Sequence, residues 1–119
     1  MTKMTKEITI GGKTYPVVFT LQTIINFEEV ANKSYFGLTE LKTLDRVGII
    51  YAAITAANPE SEVKIADITG NLDLQAIKDI QAAYAVVNEL AAEFFEVPEV
   101  MKPKEGEEKP QEDPGEEKN

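Results

Sequence analysis

The sequence predicts an α+β fold in which an N-terminal β-hairpin packs on about three main α-helices, followed by a disordered acidic tail. Two β-prone runs flank the Gly11-Gly12 pair, which is typical of a tight hairpin. Later segments carry apolar residues at helical spacing, and the longest covers residues 72–96. From Pro98 onward the chain is acidic and proline-bearing. We therefore expect a single α+β domain over residues 1–97 and a disordered acidic tail over residues 98–119.

The hairpin is predicted from the run that begins at residue 7. Ile8 and Ile10 alternate with polar residues in the first strand. The residues that share the apolar side of the second strand are Tyr15, Val17 and Phe19. Both glycines can take the positive φ that a two-residue turn requires. Pro16 has no N–H to donate, so it predicts a free strand edge or a bulge. A lone hairpin is marginal in water, so its apolar side must lie on helices.

The first helix is predicted to begin after Thr20, a favourable N-cap residue, and to end near Ala31. Glu28 and Glu29 are expected to face outward. The residues expected to face the core recur at helical spacing: Leu21, Ile24, Phe27 and Ala31. Residues 32–37 then form a loop.

A second helix is predicted to end at Asn58-Pro59, because a residue before proline avoids the helical region. Either Thr39 or Thr43 could cap its start. Gly48 and several alanines would let another helix approach closely. The apolar side is expected to comprise Leu44, Val47, Tyr51 and Ile54.

The connector over residues 59–71 is predicted to hold one short helical turn around Ile65 and Ile68. Asn71 or Asp73 is then expected to cap the long helix over residues 72–96. Apolar side chains occupy about half of that helix's circumference, more than the ~100° stripe of an ordinary surface helix. Either the domain wraps this helix, or the helix offers surplus apolar surface to a partner. The apolar arc comprises Ile77, Ile80, Ala83, Tyr84, Val86, Val87, Leu90, Ala91 and Phe94.

Composition narrows the class of function. The chain has 119 residues, with 12 basic and 21 acidic side chains, for a net charge of −9. This excess of acid disfavours binding to nucleic acid and to anionic membranes and favours a protein partner. The sequence has no cysteine, no signal-peptide pattern and no apolar run approaching the ~20 residues that span a bilayer. We expect an intracellular protein.

No catalytic, cofactor-binding or metal-binding residue is predicted. With neither histidine nor cysteine, nucleophile pairs based on those residues and the usual zinc sites are excluded. Glu28 and Glu29 point about 100° apart, and Glu40 and Asp45 lie where acidic residues cap a helix. Asp45-Arg46 is interpreted as a solvated ion pair or a cap. An enzyme is therefore not expected.

Two glycine-bearing segments resemble ligand-binding loops, but the spacing of their residues favours ordinary turns and helix caps. Gly11-Gly12-Lys13 lacks the spacing of a phosphate loop, so we interpret it as a hairpin turn. The segment DITGNLD, residues 67–73, alternates oxygen ligands like a calcium loop. Its twelfth position would be Lys78 and its mid-loop glycine is missing, so turn and capping chemistry is favoured.

The candidate partner-binding residues are aromatic: Tyr35, Phe36, Phe94 and Phe95. Adjacent helical residues cannot both face one core, so we expect one of Phe94 and Phe95 to be exposed or to lie under the hairpin. One interpretation is that the two aromatic pairs close the two ends of the core. The other is that they form a patch that anchors a partner.

The order of the elements resembles the tail assembly chaperones of long flexible-tailed bacteriophages and prophages. The resemblance is carried by the hairpin ITIGGKTYPVVFTL, which passes directly into the helical segment LQTIINFEEVANKS. Two further helices and a charged C-terminal extension follow. The resemblance covers residues 7–97, and it rests on size and layout, since the family has no catalytic motif.

The resemblance implies a non-enzymatic role in the cytoplasm of a bacterial host, without cofactors. Proteins of this family bind the long helical tape measure protein and keep it soluble until tail tube subunits polymerise around it. They are absent from the finished particle. Many are made in two lengths through a programmed ribosomal frameshift, and the longer form is thought to recruit the tail tube protein. Residues 97–119 would be the end of the short form. The chain could also form a homo-oligomer.

Three other classes of function are also compatible with the sequence. The chain could be another small phage structural or connector protein, or an acidic regulatory or inhibitor protein that mimics nucleic-acid charge. A small enzyme that uses carboxylates is the third alternative. The segment 98–119 holds eight acidic and four basic residues, or −4 of the net −9. The remaining charge is spread along the body, which disfavours the charge mimic.

Overall fold

The computed structural model describes residues 5–96. The elements, in chain order, are β1 (Thr5–Ile10), β2 (Lys13–Val18), α1 (Leu21–Ala31), α2 (Thr43–Ala57), α3 (Ile65–Thr69) and α4 (Leu74–Phe95). This order confirms the predicted α+β class, with a hairpin followed by three main helices and one short helix. The predicted disordered tail over residues 98–119 lies outside the described residues.

The hairpin follows the predicted register. β1 and β2 are antiparallel, with Ile10 opposite Lys13 across the turn. Gly11 and Gly12 have φ of 59° and 80°, the left-handed conformations of a two-residue hairpin turn. Pro16 lies opposite Glu7 on a strand whose outer edge is free, as the two-stranded sheet requires.

Two polar contacts join the hairpin to α4. The Gly11 backbone N–H donates to Asp79 Oδ2 at 3.1 Å, and Lys6 Nζ lies 3.2 Å from Glu89 Oε1. Beneath them Ile8 and other apolar residues of the hairpin are buried. The expectation that the hairpin lies on helices is confirmed.

α1 begins as predicted after Thr20. The Thr20 hydroxyl accepts from the Gln22 N–H at 3.2 Å, and the Thr20 N–H donates to Thr23 Oγ1 at 3.0 Å. One expectation for this helix is wrong: Leu21 is exposed rather than buried. It is the first residue of α1, and the buried side of the helix begins two residues later, at Thr23.

α2 packs closely on α1. A Cβ built on Gly48 would lie 3.3 Å from Cε1 of the buried Phe27, so the absence of a side chain permits this approach. The predicted caps, Thr39 and Thr43, are wrong: the N-cap residue is Lys42. Its N–H donates to Asp45 Oδ2 at 3.0 Å, so a carboxylate three residues into the helix supplies the cap.

Leu44 also departs from expectation, since it is exposed in the first turn of α2. Further along, α2 is almost entirely buried, because α1, β2, α3 and α4 all contact it. Val47 and Ile54 are buried as predicted, whereas Tyr51 is half-buried.

α4 begins two residues later than predicted. Leu72 has φ of 59°, which a right-handed helix cannot include, and Asp73 is the N-cap, with its Oδ1 accepting from the Ala76 N–H at 3.0 Å. Ile77 and Phe94, at the ends of the predicted apolar arc, are exposed. The buried side of α4 comprises Ala76, Ile80, Ala83, Val87, Leu90 and Ala91.

Contacts with β1 and α2 therefore cover most of the broad arc on α4. α3 forms the short helical turn that was predicted in the connector, with Ile68 buried. Within residues 5–96, none of the helices combines the length and the apolar character that crossing a bilayer requires.

Candidate functional site

Five aromatic side chains meet beside the junction of β2 and α1. This aromatic cluster consists of Phe19, Tyr35, Phe36, Phe94 and Phe95. Phe19 is the only member that is buried, at 6% exposure. The centroid of its ring lies 5.8 Å from that of Tyr35 and 5.5 Å from that of Phe94. These distances are typical of favourable tilted aromatic pairs.

The loop after α1 places Tyr35 and Phe36. Asn32 ends α1 in the left-handed conformation, which turns the chain back, and the Tyr35 N–H donates to Glu28 Oε2 at 3.0 Å. Glu28 is half-buried by this contact rather than facing fully outward as predicted. The ring of Tyr35 then packs edge-on against the buried Phe27 at 5.9 Å, so the loop is held to the core.

The end of α4 places the other two rings. Phe95 stacks on Tyr35, with centroids 6.5 Å apart and an interplanar angle of 15°, and it also meets the edge of Phe36 at 6.2 Å. Phe94 and Phe95 both contact Phe19, so adjacent residues approach the same ring. At least one of the two rings was expected to be exposed, and both are.

The rings nevertheless remain accessible to solvent. Phe36 is 69% exposed, Phe95 is 46% exposed and Phe94 is 42% exposed, while Tyr35 is half-buried. Each exposed ring packs against another aromatic side chain. The result is an apolar surface whose rings already contact one another, so little side-chain freedom remains to be lost on binding.

The cluster has an acidic border. Glu93 and Glu96 are exposed at the carboxyl end of α4, and the last turn of that helix carries no basic residue. The helix dipole is itself negative at this end. A cationic group near the cluster would therefore be favoured by both the carboxylates and the helix.

The side chain of Tyr35 is half-buried beneath the exposed rings. Burial raises its pKa above the ordinary value, and the neighbouring Tyr84 raises it further. Burial also raises the pKa of Tyr84, against the opposing effect of Arg46, whose guanidinium lies 5.5 Å from that ring. Both phenols stay neutral at neutral pH, so they present hydroxyl groups rather than charge.

The structure brings all four predicted aromatic residues to one place. They form one cluster, whereas the core interpretation required the two aromatic pairs to lie apart. Whether they bind a partner stays a prediction. Sequence reasoning missed the central role of Phe19, which was assigned only to the apolar side of β2.

Asp45, one of the acidic residues considered for catalysis, has a structural role. Asp45 is buried, accepts from Lys42 N–H and forms an ion pair with Lys33 at 2.9 Å. The interpretation of Asp45 as a cap is confirmed, whereas its ion pair with Arg46 is wrong. These hydrogen bonds, from Lys42 first and then from Lys33, lower the pKa of Asp45.

The DITGNLD segment likewise provides capping groups, as predicted. Asp67 accepts from the Lys64 N–H at 2.8 Å and Asp73 caps α4. Across residues 5–96, no three acidic residues are grouped so that they could hold a metal ion.

Comparisons with protein-family models, with curated proteins and with solved structures find no match to this chain.

Proposed function

We propose that this protein is a tail assembly chaperone of a long-tailed phage or prophage, acting without enzymatic activity in the bacterial cytoplasm. In this role it binds amphipathic helical segments of the tape measure protein, the client, and keeps that protein soluble. The aromatic cluster is the proposed contact surface.

One observation carries the proposal: three phenylalanine rings from two separate parts of the chain form one cluster and stay exposed. Phe36 comes from the loop after α1, and Phe94 and Phe95 come from the end of α4. Supported aromatic rings are the side chains that most often dominate binding energy at protein interfaces. An amphipathic helix places its apolar side against such a surface.

The charge of the chain supports the same role. A protein that shields apolar client segments must itself remain soluble, and a net charge of −9 favours solubility. The acidic border formed by Glu93 and Glu96 also favours a client that carries lysine or arginine beside its apolar residues.

The direct test is co-expression with a tape measure protein from the same genome, followed by measurement of the soluble client and of its binding affinity. Phe36→Ala and Phe95→Ala are each expected to weaken binding about tenfold or more and to lower the soluble fraction of client. Ile25→Ser is the matched control, because Ile25 is a comparably exposed apolar residue of α1 outside the cluster. Equal effects of all three substitutions would contradict a role of the cluster.

Two further observations separate the proposal from its alternatives. A tape measure gene immediately downstream, with an overlapping reading frame at the end of this gene, would support the chaperone, whereas a locus without tail genes would exclude it. Purified virions should lack this protein. Its presence there in stoichiometric amount would indicate a structural or connector protein instead.

A further inference from the structure

Phe36 is the most exposed ring of the aromatic cluster, and its own contacts do little to hold it in place. Its side chain is 69% exposed, and its ring meets those of Tyr35 and Phe95 at interplanar angles of 88° and 77°. A side chain that buries so little apolar area gains little free energy from burial. The position of Phe36 therefore depends on the backbone that carries it.

That backbone is held at the start, in the middle and at the end of the loop between α1 and α2. At the start, Lys33 Nζ pairs with Asp45 Oδ1 at 2.9 Å. At the end, Leu38 packs against the core. In the middle, the Tyr35 N–H donates to Glu28 Oε2 at 3.0 Å. This last contact directly precedes the exposed ring in the chain, so it fixes where that ring leaves the backbone.

The carboxylate of Glu28 is poorly placed for the stability of α1 itself. Glu28 lies in the last turn of the helix, where the helix dipole disfavours negative charge, and that turn has no basic residue. Glu29 adds a second negative charge beside it. The carboxylate is therefore unfavourable for the helix that carries it, and its favourable contact is with the loop.

The hydrogen bond from Tyr35 to Glu28 is of a strong type. A backbone N–H that donates to an ionised carboxylate forms a charge-assisted bond, and the half-buried position of Glu28 limits competition from water. Without this acceptor, the loop would sample other conformations. Only the molecules whose rings lie in place would then bind a client well, so the apparent affinity would fall by the same fraction.

We infer that Glu28 is a positioning residue for client binding: its carboxylate fixes the backbone of Tyr35, so that Phe36 lies against Phe95 before the client arrives. The inference rests on the proposed function and extends it to a residue outside the aromatic cluster. Glu28 acts through Phe36 and needs no contact of its own with the client.

The first test measures the affinity of full-chain variants for a purified tape measure protein from the same genome. Glu28→Ala is expected to weaken binding about three- to tenfold, the effect of one lost hydrogen bond. Glu28→Gln keeps an acceptor oxygen and should retain most of the affinity. Glu29→Ala is the matched control, because it removes the same charge from an exposed residue that points about 100° away. The inference is wrong if Glu28→Gln or Glu29→Ala loses as much affinity as Glu28→Ala, since charge would then be responsible.

A double-mutant cycle separates positioning from a general structural role. If Glu28 acts through Phe36, Glu28→Ala should weaken binding in the original protein but should have little further effect in a Phe36→Ala chain. A general loss of structure would weaken binding by the same factor in both chains, and that outcome would overturn the inference.

Nuclear magnetic resonance of the protein alone tests the positioning without a client. In Glu28→Ala, the Tyr35 amide should exchange faster and the cross-relaxation between the Phe36 and Phe95 rings should weaken, whereas Glu29→Ala should change neither. An unchanged ring contact in Glu28→Ala would overturn the inference. If the client binds Glu28→Ala as tightly as the original protein, only this inference fails. If it does not bind the original protein, the proposed function fails and this inference fails with it.

Discussion

At the scale of single residues, Asp45 joins two parts of the chain. Its carboxylate caps α2 through the Lys42 N–H and pairs with Lys33 in the loop that carries Tyr35 and Phe36. The side chain is 6% exposed, so these contacts are shielded from water. Asp45 therefore links the start of a core helix to the loop of the candidate site.

Replacement of Asp45 by alanine should lower the free energy of unfolding by about 1–3 kcal/mol at pH 7, because a cap and a charged hydrogen bond are lost. The pKa of Asp45 is below its ordinary value of 3.8 in the folded protein. Its contribution is therefore present above about pH 4 and is lost as the pH falls toward the folded pKa. Urea unfolding at pH 7 and at pH 3 should show the difference between the two proteins narrowing at the lower pH.

Asp67→Ala is the control for this comparison. Asp67 caps α3 in the same way, but its carboxylate is exposed, so the expected loss is smaller, about 0.5–1 kcal/mol. The loss of unfolding free energy from Asp45→Ala should exceed that from Asp67→Ala and should depend on pH. If it does neither, the burial of the Asp45 carboxylate adds no stability beyond that of an exposed cap.

At the scale of elements, the hairpin depends on a backbone conformation that only a few residues adopt readily. Gly11 has φ of 59°, and a Cβ placed there would meet no atom within 4 Å. The cost of a side chain at this position therefore comes from the backbone and not from a steric clash.

Gly11→Ala should destabilise the protein by about 1 kcal/mol, because alanine is strained in the left-handed region. Gly11→Asn should cost less, since asparagine tolerates that region. Thermal unfolding of the two variants measures the difference. Gly37→Ala serves as the control, because Gly37 does not have a positive φ and its added Cβ would make only ordinary contact with Ser34. Equal losses from alanine and asparagine at residue 11 would rule out this explanation.

At the scale of the whole molecule, one buried core joins the hairpin to all four helices. Val17 of β2, Phe27 of α1, Ile50 of α2, Ile68 of α3 and Leu90 of α4 all belong to it. Such a core does not depend on a polar segment that has few apolar residues to contribute.

Deletion of residues 98–119 is accordingly expected to leave the melting temperature essentially unchanged. That segment holds eight acidic residues, four lysines and four prolines, and very little apolar surface that could be buried. Differential scanning calorimetry of the full chain and of a chain ending at Val97 provides the measurement. A large decrease in melting temperature would mean that residues 98–119 contribute to the folded core.

Elements whose causes are local could be predicted from the residues alone. The Gly11-Gly12 turn, the Thr20 cap, the end of α2 before Pro59 and the Asp73 cap follow from the backbone preferences of neighbouring residues. The buried side of α4 followed from its helical periodicity. For the same reason the α+β class and the order of elements were predictable.

The places where those elements meet depend on the packing of the core and could not be predicted. The convergence of Tyr35 and Phe95 on Phe19 joins residues far apart in the sequence, and no local pattern sets their distance. The left-handed backbone of Leu72 likewise makes the long helix begin two residues later than its apolar spacing predicted. Local preferences act over a few residues, whereas a binding surface depends on the packing of the whole core, and this is why the sequence named the four aromatic residues but not the single surface that they form.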